Sequence, residues 1–219
     1  GDYFTEKNHQ RNYEILRQLT FGFFCIASVV SIGLFSLITP FVRDIWLGPS
    51  YELGWGITVL CIVVLLVRIM GLPLSLVMGV TGLFEKEKNV GASSALLNLI
   101  VSLALVKPYG MAGVLLGTLL SYLLQIVYRY IIYFRDFLEM PGEALRYAQD
   151  IGEYLAVIAG EVLLMQKIVP LVYGAGGMLL FCVCFLLCIA IPLLLDLVIF
   201  GRGWRLQSII TMVKGMRKA

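Results

Sequence analysis

Along this chain the apolar positions fall in long unbroken runs, not in alternation or in narrow stripes. Six stretches, about 20–42, 56–79, 92–106, 111–134, 154–173 and 176–200, meet or approach the length of a membrane crossing. About 20 residues of helix, rising ~1.5 Å each, cover the ~30 Å of hydrocarbon in a bilayer. Only helices and closed barrels satisfy their backbone in lipid. Barrel strands alternate, whereas Leu99-Ile100-Val101-Ser102-Leu103-Ala104-Leu105-Val106 and residues 181–190 are continuous. The pattern predicts an all-α, multi-pass membrane protein in which residues 20–200 form one lobe of about six helices. The third run is short unless it extends back into Asn89-Val90-Gly91. Lys107-Pro108-Tyr109-Gly110 after it predicts a tight turn into the fourth, so these two runs read as a hairpin.

The connections set an orientation. Residues 1–19 are polar, with Asp2, Glu6, Lys7, Arg11, Glu14 and Arg17, and read as a cytoplasmic linker cut from a longer chain. Residues 201–219 form a basic tail. With both ends inside, the cytoplasm receives Lys7, Arg11, Arg17, Lys86, Lys88, Arg129, Arg135, Arg146 and the basic residues of the tail. Outside fall Arg43 and Lys107, with Lys167 near the outer end of the fifth helix. The loop 43–51 puts Trp46, Tyr51 and then Trp55 where aromatic rings anchor at an interface. The loop 135–153, with seven charges around Pro141-Gly142, reads as a solvated turn region.

Composition agrees with lipid as the solvent: 60% of the 219 residues are hydrophobic and 14% are charged. The net charge of +3 is carried by residues between apolar runs, which makes them topology signals and not a nucleic-acid patch. Cys25, Cys61, Cys182, Cys184 and Cys188 lie inside apolar runs without zinc-type spacing and read as packing thiols; His9 reads as solvated. No paired carboxylates, Ser/His couple, Gly-rich phosphate loop or metal-spaced cluster stands out. The expectation is a protein that is not an enzyme, with no cofactor and no metal.

Chemistry must then come from polar residues inside the runs. Arg68 lies near the middle of the second run, where an unpartnered charge costs from ~3 to more than ~10 kcal/mol. It either serves a cationic site in a central cavity, suited to phosphate or pyrophosphate, or ties neighbouring helices together. Gly71 and Ser75 share its face, with Pro73 between them as in the broken helices of transporter sites. Gly91, Ser94, Asn98 and Ser102 make a polar stripe on the third helix, for packing or for lining a cavity, with Asn98 the member to touch a polar ligand. Gly113, Gly117 and Ser121 make a small-residue packing face on the fourth. Gln125 and Arg129 continue it, Arg129 reaching toward headgroups. Glu161, midway along the fifth helix, is protonated, paired or open to water, and is the candidate for coupling transport to protons or cations. Asp196, with Pro192, reads as structural, near enough to the end of the last helix to reach water.

Three segments carry a family likeness: Pro40-Phe41-Val42-Arg43-Asp44-Ile45-Trp46-Leu47-Gly48-Pro49-Ser50-Tyr51, the Asn98 segment 97–103, and Tyr109-Gly110-Met111-Ala112-Gly113-Val114-Leu115-Leu116-Gly117-Thr118-Leu119-Leu120-Ser121. Together they resemble the C-terminal half of bacterial polysaccharide-biosynthesis flippases, in the superfamily that also holds multidrug and toxin extrusion exporters. The resemblance implies one lobe of a two-lobed (MATE-like) fold that works with a missing N-terminal lobe or a second chain. It further implies an undecaprenyl-pyrophosphate-linked oligosaccharide as cargo, in the bacterial cytoplasmic membrane. Arg68, Asn98, Ser75 and Ser102 are then the substrate-binding candidates and Glu161 the coupling residue. A cation-coupled drug exporter of the same superfamily and a non-transporting scaffold of a polysaccharide assembly complex are the alternatives.

Overall fold

A computed structural model describes residues 9–81, 83–174 and 176–201, with backbone only at 84–87 and 141. Six helices account for nearly all of it: α1 His9–Pro40, α2 Trp55–Val80, α3 Phe84–Tyr109, α4 Met111–Ile131, α5 Pro141–Tyr173 and α6 Met178–Phe200. There is no strand among the described residues. Each helix is long and apolar enough to cross a membrane, so this is an all-α, multi-pass membrane protein. Large apolar side chains lie on the outside, among them Leu171 at 83%, Leu179 at 79% and Val198 at 77% exposure. In water such a surface would drive association, whereas in lipid it is the ordinary state.

The helices differ from the sequence reading at their ends. Residues 9–19, expected as linker, are the first turns of α1. Tyr13, Leu16, Thr20 and Phe24 recur at helical spacing and are each at most 1% exposed. The third run is no short segment: α3 starts at Phe84 and runs for 26 residues. Lys7 and residues 202–219, used for orientation, lie outside the described residues, as does the side chain of Lys86.

Two compact units divide the chain: residues 1–23 with 55–152, and 24–54 with 153–219. In the first, α3 and α4 form the expected hairpin, turning at Gly110, whose φ of 56° suits glycine. They approach closely because Gly113 and Gly117 carry no side chain. A Cβ on Gly113 would strike the carbonyl of Leu105, and one on Gly117 the hydroxyl of Ser102. α2 packs on α4, with Gly71 against Ile126. Pro73 is buried inside an unbroken α2 and does not open the helix as expected.

The region 135–153, expected as a solvated turn, is instead packed. A π-helical turn, Ile132–Phe137, leads through Leu138 to α5, which begins at Pro141. Tyr133, Phe134, Leu138 and Tyr147 are buried with Tyr13 and Leu16 of α1 in one core. Arg17 pairs with Asp150 at 2.6 Å, the Thr20 and Tyr147 hydroxyls lie 3.1 Å apart, and Tyr130 OH donates to the Ala144 carbonyl at 2.7 Å. Of the charges that looked solvated in sequence, Asp150 pairs with α1 because α5 starts a full three turns earlier than the apolar run, whereas Arg135 and Arg146 pair locally with Asp136 and Glu143 and stay exposed.

In the second unit a π-helical turn, Phe41–Trp46, ends α1 and is followed by a short 3-10 turn, Pro49–Tyr51. Trp46, Tyr51 and Trp55 are each more than 60% exposed, free to meet a membrane interface. Tyr173 OH donates to Asp44 Oδ2 at 2.9 Å, and Arg43 holds the same carboxylate at 2.8 and 3.1 Å, joining the end of α5 to the end of α1. Ile32, Leu37, Met165, Val169, Cys184 and Cys188 fill the core beneath. All five cysteines are free thiols, as read from sequence.

Candidate functional site

The first cluster is built on α2 and α4. Arg68 is the fourteenth of the 26 residues of α2, and its side chain is exposed. Its guanidinium lies over the ring of Tyr122 on α4, 5.0 Å from the centroid. Tyr122, Gln125 and Arg129 follow one another at helical spacing, and with Arg68 and Gly71 they line a notch of about 10 Å³. That is room for about one water molecule, or for an oxygen of a larger anion that lies outside. Gln125 donates to Ser94 of α3 at 2.8 Å.

Arg129 is only 7% exposed, so it does not reach outward to headgroups. Placed one turn beyond Gln125, it turns into the α2–α4 contact and adds a second guanidinium to the notch. Ring stacking and the notch leave Arg68 its N–H donors for an acceptor outside the helices, the requirement for binding phosphate oxygens.

The other substrate candidates lie elsewhere in the unit. Ser102 donates to Asn98 Oδ1 at 2.9 Å, and its hydroxyl also meets the Val114 carbonyl at 3.4 Å. Ser94 is 1% exposed. The polar stripe of α3 therefore packs on α4, with Asn98 and Ser102 half-buried. Ser75 is half-buried on α2, two turns from Arg68 and outside the notch.

The second cluster lies in the other unit, on α1, α5 and α6. Glu161 is 3% exposed and accepts a hydrogen bond from the Ser28 hydroxyl, Oγ to Oε2, at 2.6 Å. Among the described residues its Oε1 has no partner, nor has either carboxylate oxygen of Asp196, which is 3% exposed. Asp196 thus does not reach water at the helix end, as its place in sequence suggested. Phe24, Tyr154 and Phe200 close that end instead, with ring centroids 4.5, 5.5 and 5.7 Å apart. Each stands one or two turns from the polar residue of its own helix.

An apolar groove of about 480 Å³ lies between Val29–Ile38 of α1, with Phe41 beyond it, and Phe181–Ile189 of α6. Lys167 is exposed on α5, away from Glu161, as the spacing predicts. Sequence reasoning did not single out Ser28 or Tyr122, and it read Asp196 as structural and near water. The signal for Asp196 was present, since any acid inside an apolar run is a site candidate by default.

No family model, no curated protein and no solved structure matches this chain.

Proposed function

We propose that this chain is a transport lobe that moves an anionic, lipid-linked oligosaccharide between the leaflets of a bacterial cytoplasmic membrane, with both termini on the cytoplasmic side. The observation that carries the reading is Arg68: a permanent cation in the middle of a membrane-length helix, with its side chain turned outward. Hydrocarbon would make that placement cost several kcal/mol, so the natural surroundings are a water-filled path or an anionic group. A headgroup carrying pyrophosphate supplies such a group. Stacking on Tyr122 orients the guanidinium, and Arg129 lines the same notch. The resemblance to polysaccharide-biosynthesis flippases points the same way and makes undecaprenyl-pyrophosphate-linked sugar the cargo, with a second lobe or chain completing the path.

The test is Arg68→Ala and Arg68→Lys in the native host, with surface polysaccharide and membrane-bound lipid-linked sugar measured together. The proposal expects Arg68→Ala to stop export while lipid-linked sugar accumulates, with partial activity in Arg68→Lys. Normal surface polysaccharide in Arg68→Ala would remove this residue from the mechanism.

A further inference from the structure

We propose that the apolar groove between α1 and α6 seats one bilayer phospholipid, which lays an acyl chain in the groove and its phosphate beside Arg43. The inference concerns the second unit alone and does not depend on which cargo the chain moves. The groove runs along α1 from Val29 to Ile38, and along α6 from Ile189, the twelfth of its 23 residues, back to Phe181. Nine helical steps rise about 14 Å, close to the ~15 Å of hydrocarbon in one leaflet. The groove thus starts midway along α6 and ends where α1 stops and α6 begins.

Its lining decides the chemistry. Leu37 and Cys188, 4% and 1% exposed, lie deepest, and Phe41, Phe181 and Phe185 stand at the edges. Among the described residues no charged or hydroxyl-bearing side chain lines it, so it suits hydrocarbon. Its width decides which hydrocarbon. A volume of about 480 Å³ spread over ~14 Å gives a cross-section of about 34 Å². A helix, ~10–12 Å across with its side chains, needs about 80–110 Å², so a helix of another lobe or of a second copy is too broad to lie in it. At ~30 Å³ for each group of water size, the groove takes about 16 methylenes, the length of an ordinary acyl chain and far short of a polyprenyl tail. Gly33 keeps it open, because a Cβ there would meet no atom within 4 Å.

The end of the groove suits a headgroup. The Phe41 ring lies 5.8 Å from that of Phe181 and 5.9 Å from that of Trp46, which is 65% exposed, as an interfacial ring is. Arg43, two residues past Phe41 and 45% exposed, gives Asp44 two of its five N–H donors and keeps the others for phosphate oxygens.

The experiment uses the full chain in mild detergent, stripped of lipid and titrated with dipalmitoyl phosphatidylglycerol, with bound lipid counted by native mass spectrometry. Wild type is expected to bind one copy saturably. Gly33→Leu is expected to lose it with an unchanged melting temperature, since the new side chain enters the groove without striking the protein. Arg43→Ala should bind about tenfold more weakly, and Leu171→Ala, on an exposed face outside the groove, should bind as wild type does. Equal binding by wild type and Gly33→Leu would overturn the proposal. So would displacement of the phospholipid by equimolar polyprenyl phosphate, which assigns the groove to a cargo tail, or a wild-type dimer that Gly33→Leu dissociates, which assigns it to a second copy. Should Gly33→Leu fail to fold, unchanged affinity in Val30→Phe, also in the lining, overturns it equally.

Discussion

The hydroxyl of Ser28 on α1 donates a 2.6 Å hydrogen bond to the buried carboxylate of Glu161 on α5. Two helices far apart in sequence are thereby pinned at one point. The ring cluster one or two turns away adds to the contact: Phe24 and Phe200 are 0% and 5% exposed. Phe24→Ala removes a fully buried ring from that cluster and should destabilise the protein by about 3–5 kcal/mol. Thermal unfolding in detergent measures it, with Phe185→Ala, on a half-exposed ring, as the control that changes little.

Close approach of α3 and α4 depends on glycine at two positions and not at others. Gly117→Val should cost about 1–3 kcal/mol by forcing Ser102 aside, whereas Gly160→Ala meets open space and should be neutral or slightly stabilising. The comparison of unfolding temperatures between the two variants tests the hairpin directly.

At the start of α5 the pair Arg17–Asp150 is largely buried, with side chains 22% and 9% exposed. Asp150→Ala leaves the guanidinium in that core and should destabilise by about 3 kcal/mol. The pair Arg135–Asp136 has its arginine 78% exposed, so Arg135→Ala should cost less than about 0.5 kcal/mol. Equal losses in the two variants would contradict the packed reading of residues 141–153.

Arg68→Ala separates transport from stability. Its ring contact with Tyr122 is exposed and contributes about 0.5–1 kcal/mol, so the variant should fold with a nearly unchanged melting temperature. Export should nevertheless be abolished. Tyr122→Leu should keep the charge but loosen its aim, giving an intermediate transport rate in the same assay.

The six membrane helices were legible because continuous apolar runs have few other solutions in lipid. Their ends were not, since tertiary contacts set them. Residues 9–19 look like a linker until Tyr13 and Leu16 are seen to extend the buried stripe of α1. Arg68 announced itself as a charge in an apolar run, but its stacking on Tyr122 and the inward turn of Arg129 arise only when α2 meets α4. The reading of Asp196 as near water failed for a related reason: four residues from a helix end normally means water, and here three aromatic rings from three helices occupy that end. The stripe of Ser94, Asn98 and Ser102 was visible as polar, while its partner on α4 was decided by where glycine permits contact.

The most direct test of the proposed activity is the leaflet distribution of the lipid-linked oligosaccharide in cells with the gene deleted and then restored. A sugar-binding or sugar-cleaving reagent confined to the outside reads the fraction that has crossed. Deletion should leave the lipid-linked sugar on the cytoplasmic face, inaccessible to the reagent, and the restored wild-type gene, but not Arg68→Ala, should return it to the outer face. An unchanged distribution after deletion would contradict the assignment of this chain to lipid-linked sugar transport.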